Sequence, residues 1–188
     1  MDRRLGVALL AAGSSKRFGK ADKLAADYRG RMLAQYAALA IPVERFEKAW
    51  VVSSAPDHPC EPTWRDSGFS PLLNPDATYG MGTSVALAAR AAIEASLDGL
   101  LIALADMPLV PRSHFEALIQ SCEGPERLAV SALGKVRMPP AIFGSAHFSR
   151  LGDTAGDRGA RELLGQGVIV ECPAAWLKDI DTINDLSG

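Results

Sequence analysis

The residues able to do chemistry gather in three places. The first is Leu10-Ala11-Ala12-Gly13-Ser14-Ser15-Lys16-Arg17-Phe18-Gly19-Lys20-Ala21-Asp22-Lys23, small residues followed by four cations at Lys16, Arg17, Lys20 and Lys23. Small residues let backbone N–H groups close around a phosphate chain, and Arg and Lys supply the charge that a triphosphate needs. The plain alternative is a glycine turn running into a solvated basic segment. The second place is Asp106-Met107-Pro108, directly after an apolar run. A carboxylate there sits where a magnesium–phosphate complex binds, because magnesium takes carboxylate, phosphate and water oxygens; otherwise Asp106 caps the following helix. The third is Asp179-Ile180-Asp181-Thr182. In extended backbone Asp179 and Asp181 share a face, so either can be a second metal ligand. Alternatively Asp181 or Thr182 caps a last helical turn.

Better-known phosphate loops do not fit. In GxxxxGK[ST] the glycines enclose four residues, whereas Gly13 and Gly19 enclose five and Ala21 follows Lys20. The dinucleotide GxGxxG is absent after the first apolar run; Gly80-Met81-Gly82 resembles its start but ends in Val85. Gly156-Asp157-Arg158-Gly159-Ala160-Arg161 is a turn entering a helix, and its two Arg face an anionic second substrate or are ordinary surface charges. Cys60, Cys122 and Cys172 are odd in number and far apart, which reads as free structural thiols rather than disulfides or a zinc site. His58, His114 and His147 show no paired ligand spacing.

These loops need a scaffold, and the apolar runs describe one. Strands are expected at residues 5–11, 49–53, 71–74, 99–105, 128–132 and 168–171, with an extended Pro-bearing segment at 138–143. Helices are expected at 31–41, at 84–96 with Thr83 or Ser84 as N-cap, at 111–121 and at 157–164, with a terminal helical turn at 182–186. Residues 57–66, holding two Pro and no period, are expected to be a loop or a poorly formed helix. The alternation predicts an α/β fold, a three-layer α/β/α Rossmann-like sandwich on a mostly parallel sheet. Such sheets bind ligands beyond the C-terminal ends of their strands, here the loops after Ala11, Asn74 and Ala105. At 188 residues, 48% hydrophobic and 22% charged, one globular domain is expected. A net charge of −2 removes the usual footprint of a nucleic-acid binder, and no apolar run approaches a membrane span. A cytoplasmic location is expected, with residues 5–12 as a buried strand rather than a signal peptide.

In their order along the chain, these segments resemble the MobA-like nucleotidyltransferases, which make molybdenum-cofactor dinucleotides within the GT-A-like nucleotidyltransferase superfamily. Residues 10–23 resemble the signature LAxGxSxRMGxxxK, with Phe18 for the usual Met. Gly80-Met81-Gly82-Thr83-Ser84 resembles the base-proximal GMxxS, and Leu104-Ala105-Asp106-Met107-Pro108 the magnesium loop. Residues 156–161 resemble GDxGAR, and residues 179–182 resemble DIDT, followed here by Ile183-Asn184 instead of Pro-Glu. Lys135-Val136-Arg137-Met138-Pro139-Pro140 lacks the Gly often found before the family's extended Pro segment.

The resemblance implies catalytic roles for Lys23, Arg17 and Asp106. It implies a nucleotide site of Leu10, Ala11, Ala12, Gly13, Ser14, Ser15, Lys16, Arg17, Lys23, Asn74, Gly82, Ser84 and Asp106, within a nucleotide-binding part of about residues 1–110. Pro140, Gly156, Asp157, Gly159 and Arg161 would hold the acceptor, within a part of about residues 111–188, and Asp106 with Asp181 would carry Mg2+. The implied reaction moves a nucleotidyl group from an NTP to the phosphate of molybdopterin, with transient contact to a molybdoenzyme or its chaperone. The LAAG form of residues 10–13 is more like the cytidylyl branch and favours CTP over GTP. The alternatives are a sugar phosphate or methylerythritol phosphate acceptor, or a non-catalytic nucleotide-binding partner of molybdoenzyme assembly.

Overall fold

A strand covered on both faces must be apolar at every position, and β1 (Leu5–Leu10) is buried throughout. Leu5, Val7 and Leu9 enter one core cluster, while Ala8 and Leu10 enter the other. This computed structural model describes residues 3–13, 22–153 and 162–187. Beyond β1 come a 3-10 turn at Lys23–Ala25, the hairpin of β2 (Asp27–Tyr28) and β3 (Arg31–Met32), α1 (Leu33–Ala40) and β4 (Lys48–Ser53). Next are α2 (Glu61–Asp66), β5 (Ser70–Leu73), α3 (Met81–Glu94), β6 (Gly99–Leu104) and α4 (Arg112–Ser121). The hairpin of β7 (Leu128–Leu133) and β8 (Val136–Gly144), α5 (Phe148–Gly152) and β9 (Val168–Glu171) complete the order.

The main sheet has seven strands in the order β5-β4-β1-β6-β8-β7-β9. β8 pairs antiparallel with both β6 and β7, and every other pairing is parallel. On one face α1 and α4 pack Leu33, Ala37, Phe115 and Leu118 against the sheet, with Trp64 of α2. On the other, α3 presents Val85, Ala88, Ala89 and Ala92 at helical spacing beside Phe148 and Leu151 of α5. The three-layer α/β/α architecture is therefore present. From β1 the chain moves outward through β4 to β5, then returns by α3 to β6 on the far side of β1. The strand order reverses between β1 and β6, and that switch point opens a crevice at their C-terminal ends.

Two expected helix starts are corrected, and two looser expectations are made specific. Arg31 and Met32 belong to β3, so the helix expected from residue 31 begins at Leu33. Residues 61–66 form α2, with Pro62 in the first turn, where its missing N–H is no loss. The helix expected from residue 84 begins at Met81, and its N-cap is Gly80 (φ 117°), a conformation a side chain rarely tolerates. Thr83 does not cap it; its hydroxyl bonds the Asp76 and Gly80 carbonyls and accepts from the Asn74 amide. The extended Pro segment is a true strand, β8, running against its neighbours. The cysteines are free, as expected; burial pushes the Cys60 thiol up to about 12 and the Cys122 thiol up to about 11, so both stay protonated.

The β7–β8 ladder shifts register after Val130: Val130 faces Ala141, but Ser131 faces Met138. Pro139 and Pro140, which have no N–H to donate, fall in the gap. The Ser131 hydroxyl donates to the Pro140 carbonyl at 2.6 Å, and His114 Nε2 lies 2.8 Å from the same hydroxyl oxygen. One hydroxyl proton serves Pro140, so the neutral His114 ring donates from Nε2. Burial lowers the His114 pKa from 6.5. A histidine held neutral contributes stability above its unfolded pKa and loses it as pH falls through its lower folded pKa.

Unfolding free energy measured in urea is thus expected to fall below pH ~6.5, less steeply in His114→Gln; equal slopes would remove His114 as a contributor. At Gly144 a Cβ would run into the backbone of Gly124 and Pro125, which cannot yield cheaply. Gly144→Ala is expected to cost about 3 kcal/mol or more in the same assay; a loss under about 1 kcal/mol would show that the 124–125 turn moves aside.

Candidate active site

The crevice at the switch point is built from strand ends. The Ala11 N–H bonds the Val52 carbonyl at 2.8 Å, and the Ala105 N–H bonds the Leu10 carbonyl at 3.0 Å, extending the ladders one step past β1 and β6. Asp106 follows at once. The Ile180 N–H bonds the Asp106 carbonyl at 3.0 Å, which ties the C-terminal segment to this strand end. Ile180 is 1% exposed and points into the core. Alternation therefore turns Asp179 and Asp181 together toward the crevice, as expected from sequence.

Lys23 joins them from the 3-10 turn after the first loop. Its Nζ lies 2.8 Å from Asp106 Oδ2 and 3.3 Å from Asp181 Oδ1, with 13% of its side chain exposed. Burial alone pulls the ammonium's pKa down. The hydrogen bonds and charges of Asp106 and Asp181 more than offset this and hold it above its ordinary value, so Lys23 stays charged. Asp179 titrates higher than a free carboxylate, first because it is partly buried and then because Asp181 and Asp106 repel its charge.

Asp106 and Asp181 each turn an oxygen to the Lys23 ammonium; such hard donors suit magnesium when phosphate and water oxygens complete its shell. Among the described residues no group of three or more His, Cys, Asp or Glu could hold a metal alone.

Beside this cluster lies a cavity of about 500 Å³. Its lining includes Met81, Gly82, Leu104, Met107, Met138 and Asp179, and is mostly apolar. Gly82 thus meets the cavity. Asn74 and Ser84, also expected at the nucleotide, are 3% and 2% exposed; the Asn74 amide donates to the hydroxyls of Thr83 and Ser84 at 2.9 Å each. These bonds shape the loop between β5 and α3. Pro140 is buried, and its neighbours Met138 and Pro139 form the cavity wall. Leu10, Ala11 and Ala12 are buried at the crevice floor and Gly13 is exposed at its edge. Ser14, Ser15, Lys16, Arg17, Gly156, Asp157, Gly159 and Arg161 lie outside the described residues. Sequence reasoning missed Met107, Met138 and Pro139 as lining, and the pairing of His114 with Ser131 behind it; only the double proline marked that wall.

Residues 7–171 match the MobA-like NTP transferase domain family. The purine catabolism protein PucB of Bacillus subtilis (strain 168) is 35% identical over 198 residues, covering 95% of this chain and 91% of its own. The nicotine blue oxidoreductase of Paenarthrobacter nicotinovorans is 29% identical over 187 residues, covering 95% and 87%. A nucleotidyl transferase from Methanothermobacter thermautotroptrophicus superposes with a TM-score of 0.79 at 17% identity, over 97% of this chain and 94% of that one, a likeness of fold. With a family match across most of its length on a nucleotidyltransferase-type fold, this chain belongs to the MobA-like NTP transferase family.

Proposed function

We propose that the chain transfers a nucleotidyl group from an NTP to a phosphorylated acceptor with Mg2+, and that the acceptor is molybdopterin-type and the favoured nucleotide CTP. The observation that carries the reading is the convergence of Lys23, Asp106 and Asp181 at the switch point, next to an apolar cavity. The cavity supports the choice of acceptor. Thioether and aliphatic walls suit the faces of a flat ring system, and Arg137 and Asp179 in the lining offer polar partners at its edges. Asp179 at the edge can bond ring N–H groups. The preference for CTP rests on Leu10-Ala11-Ala12-Gly13.

The chemistry follows from charge. The acceptor phosphate attacks the α-phosphorus in line and pyrophosphate leaves. The nucleophile is already an anion, so the protein's task is positioning and charge neutralisation rather than proton removal. Lys23 supplies a fixed positive charge at the α-phosphate, and Arg17 a second. Asp106 and Asp181 would hold the magnesium, which neutralises triphosphate charge. The cavity orients the acceptor's body so that its phosphate enters the crevice. Acceptor binding then draws on both parts of the chain, residues 81–107 as well as 136–179.

A second reading comes from the oxidoreductase name of one relative, since an apolar cavity also accepts a flat dye. The missing GxGxxG counts against nicotinamide binding. One panel separates the readings: pyrophosphate release from CTP, GTP and ATP with Mg2+, with molybdopterin, a sugar phosphate, methylerythritol phosphate or no acceptor, beside NADPH oxidation with a dye. Release is expected with CTP and molybdopterin and is lost on chelation. Release with a sugar phosphate alone would sink the pterin assignment, and silence throughout would favour a non-catalytic nucleotide-binding partner. Asp106→Ala and Lys23→Ala are each expected to fold and lose about 100-fold in turnover; wild-type rates in both would refute the site.

A further inference from the structure

Lys23 brings its charge to the site on a turn of three residues, Lys23–Ala25, too short to hold a lysine by its own hydrogen bonds. The turn is fixed from outside. Asp22 Oδ1 accepts the Leu24 N–H at 2.9 Å, capping the turn. The other carboxylate oxygen, Oδ2, lies 2.9 Å from Nε2 of His58. Across the ring, Nδ1 accepts the Cys60 N–H at 3.1 Å. That bond needs a lone pair on Nδ1, so the neutral ring carries its proton on Nε2 and donates it to Asp22. Burial pulls the His58 pKa below its ordinary value, against the opposing carboxylates of Asp22 and Glu61. The Trp64 ring packs against the imidazole, centroids 4.7 Å apart. His58 thus spans the entrance of α2 and the cap of the turn that carries Lys23.

We propose that His58 and Asp22 are positioning residues for Lys23. The link from His58 Nε2–H through Asp22 to the Leu24 N–H sets the turn that aims Nζ at Asp106 and Asp181, and the Cys60 N–H fixes the tautomer that donates. The proposal rests on the reading of Lys23 as the cation at the reacting phosphate. A small displacement of that ammonium costs transition-state stabilisation more than nucleotide binding, so kcat carries the effect.

A pair of substitutions tests it. In His58→Gln the amide nitrogen reaches the Nε2 position and still donates to Asp22. In His58→Asn the side chain reaches only the Nδ1 position, keeping the Cys60 bond and losing Asp22. Asp22→Asn keeps the cap but sets an amide donor against the His58 N–H.

With kcat and KM for pyrophosphate release measured beside melting temperature, His58→Asn and Asp22→Asn are each expected to lower kcat about 10- to 100-fold with little change in KM for the nucleotide. Their combination falls no further, because both break one chain. His58→Gln stays close to wild type. Wild-type kcat in His58→Asn overturns the proposal, as does equal loss in the Gln and Asn variants, which would make His58 merely structural. Should the wild type release no pyrophosphate with any acceptor, the functional reading fails by itself. The relay is then judged by imidazole 15N spectra of the wild type and a crystal structure of His58→Asn. An Nε2–H tautomer with a displaced Lys23 upholds it; an Nδ1–H tautomer or an unmoved Lys23 overturns it.

Discussion

One partly buried ammonium shared by two carboxylates organises the molecule's C-terminal sheet edge. Lys23 reaches Asp106 and Asp181 across 83 and 158 residues of sequence. Hydrogen bonds and charge from both carboxylates offset the burial that would otherwise pull its pKa down. Both contacts join segments remote in sequence, so the cluster forms only once the end of β6, the Lys23 turn and the C-terminal segment have come together.

The scaffold was legible where a signal repeats. The apolar runs at 5–10 and 99–104 could only be covered strands, and the Ala-rich face of α3 had unmistakable helical spacing. Asp106 was legible because it directly follows the end of a covered strand, whereas Lys23 was singled out by the basic loop and its likeness to the family signature. What was not legible depended on pairing partners, near or far. The two residues of β3 are a strand only because Asp27 and Tyr28 pair with them. The direction of β8 is invisible in its composition, since the same residues read equally well in either sense. The bonds of Asn74 to Thr83, Ser84 and the Asp76 N–H likewise left no trace in the sequence pattern. His58 and Ser131 carried no local mark; each is defined by one contact across the fold.

Two bonded polar pairs flank the candidate site. At the cavity wall, two prolines deprive the β7–β8 ladder of donors, and Ser131 with His114 supplies a hydrogen bond there. At the Lys23 turn, Asp22 and His58 do the same. Such groups stabilise less than leucines would, but they admit one geometry where an apolar core admits several.

The hydrogen bond from Ile180 to the Asp106 carbonyl has a consequence for biogenesis. A chain emerging from the ribosome can pair β1, β4, β5 and β6 long before residue 180 appears. Until then Lys23 faces a single carboxylate and the crevice lacks one side. Core assembly and site assembly are therefore separate events in time, and the second waits for non-local contacts near the end of the chain. Nascent chains stalled short of that point, or molecules clipped by a protease after β9, would keep a native-looking sheet while lacking the electrostatic focus of the site.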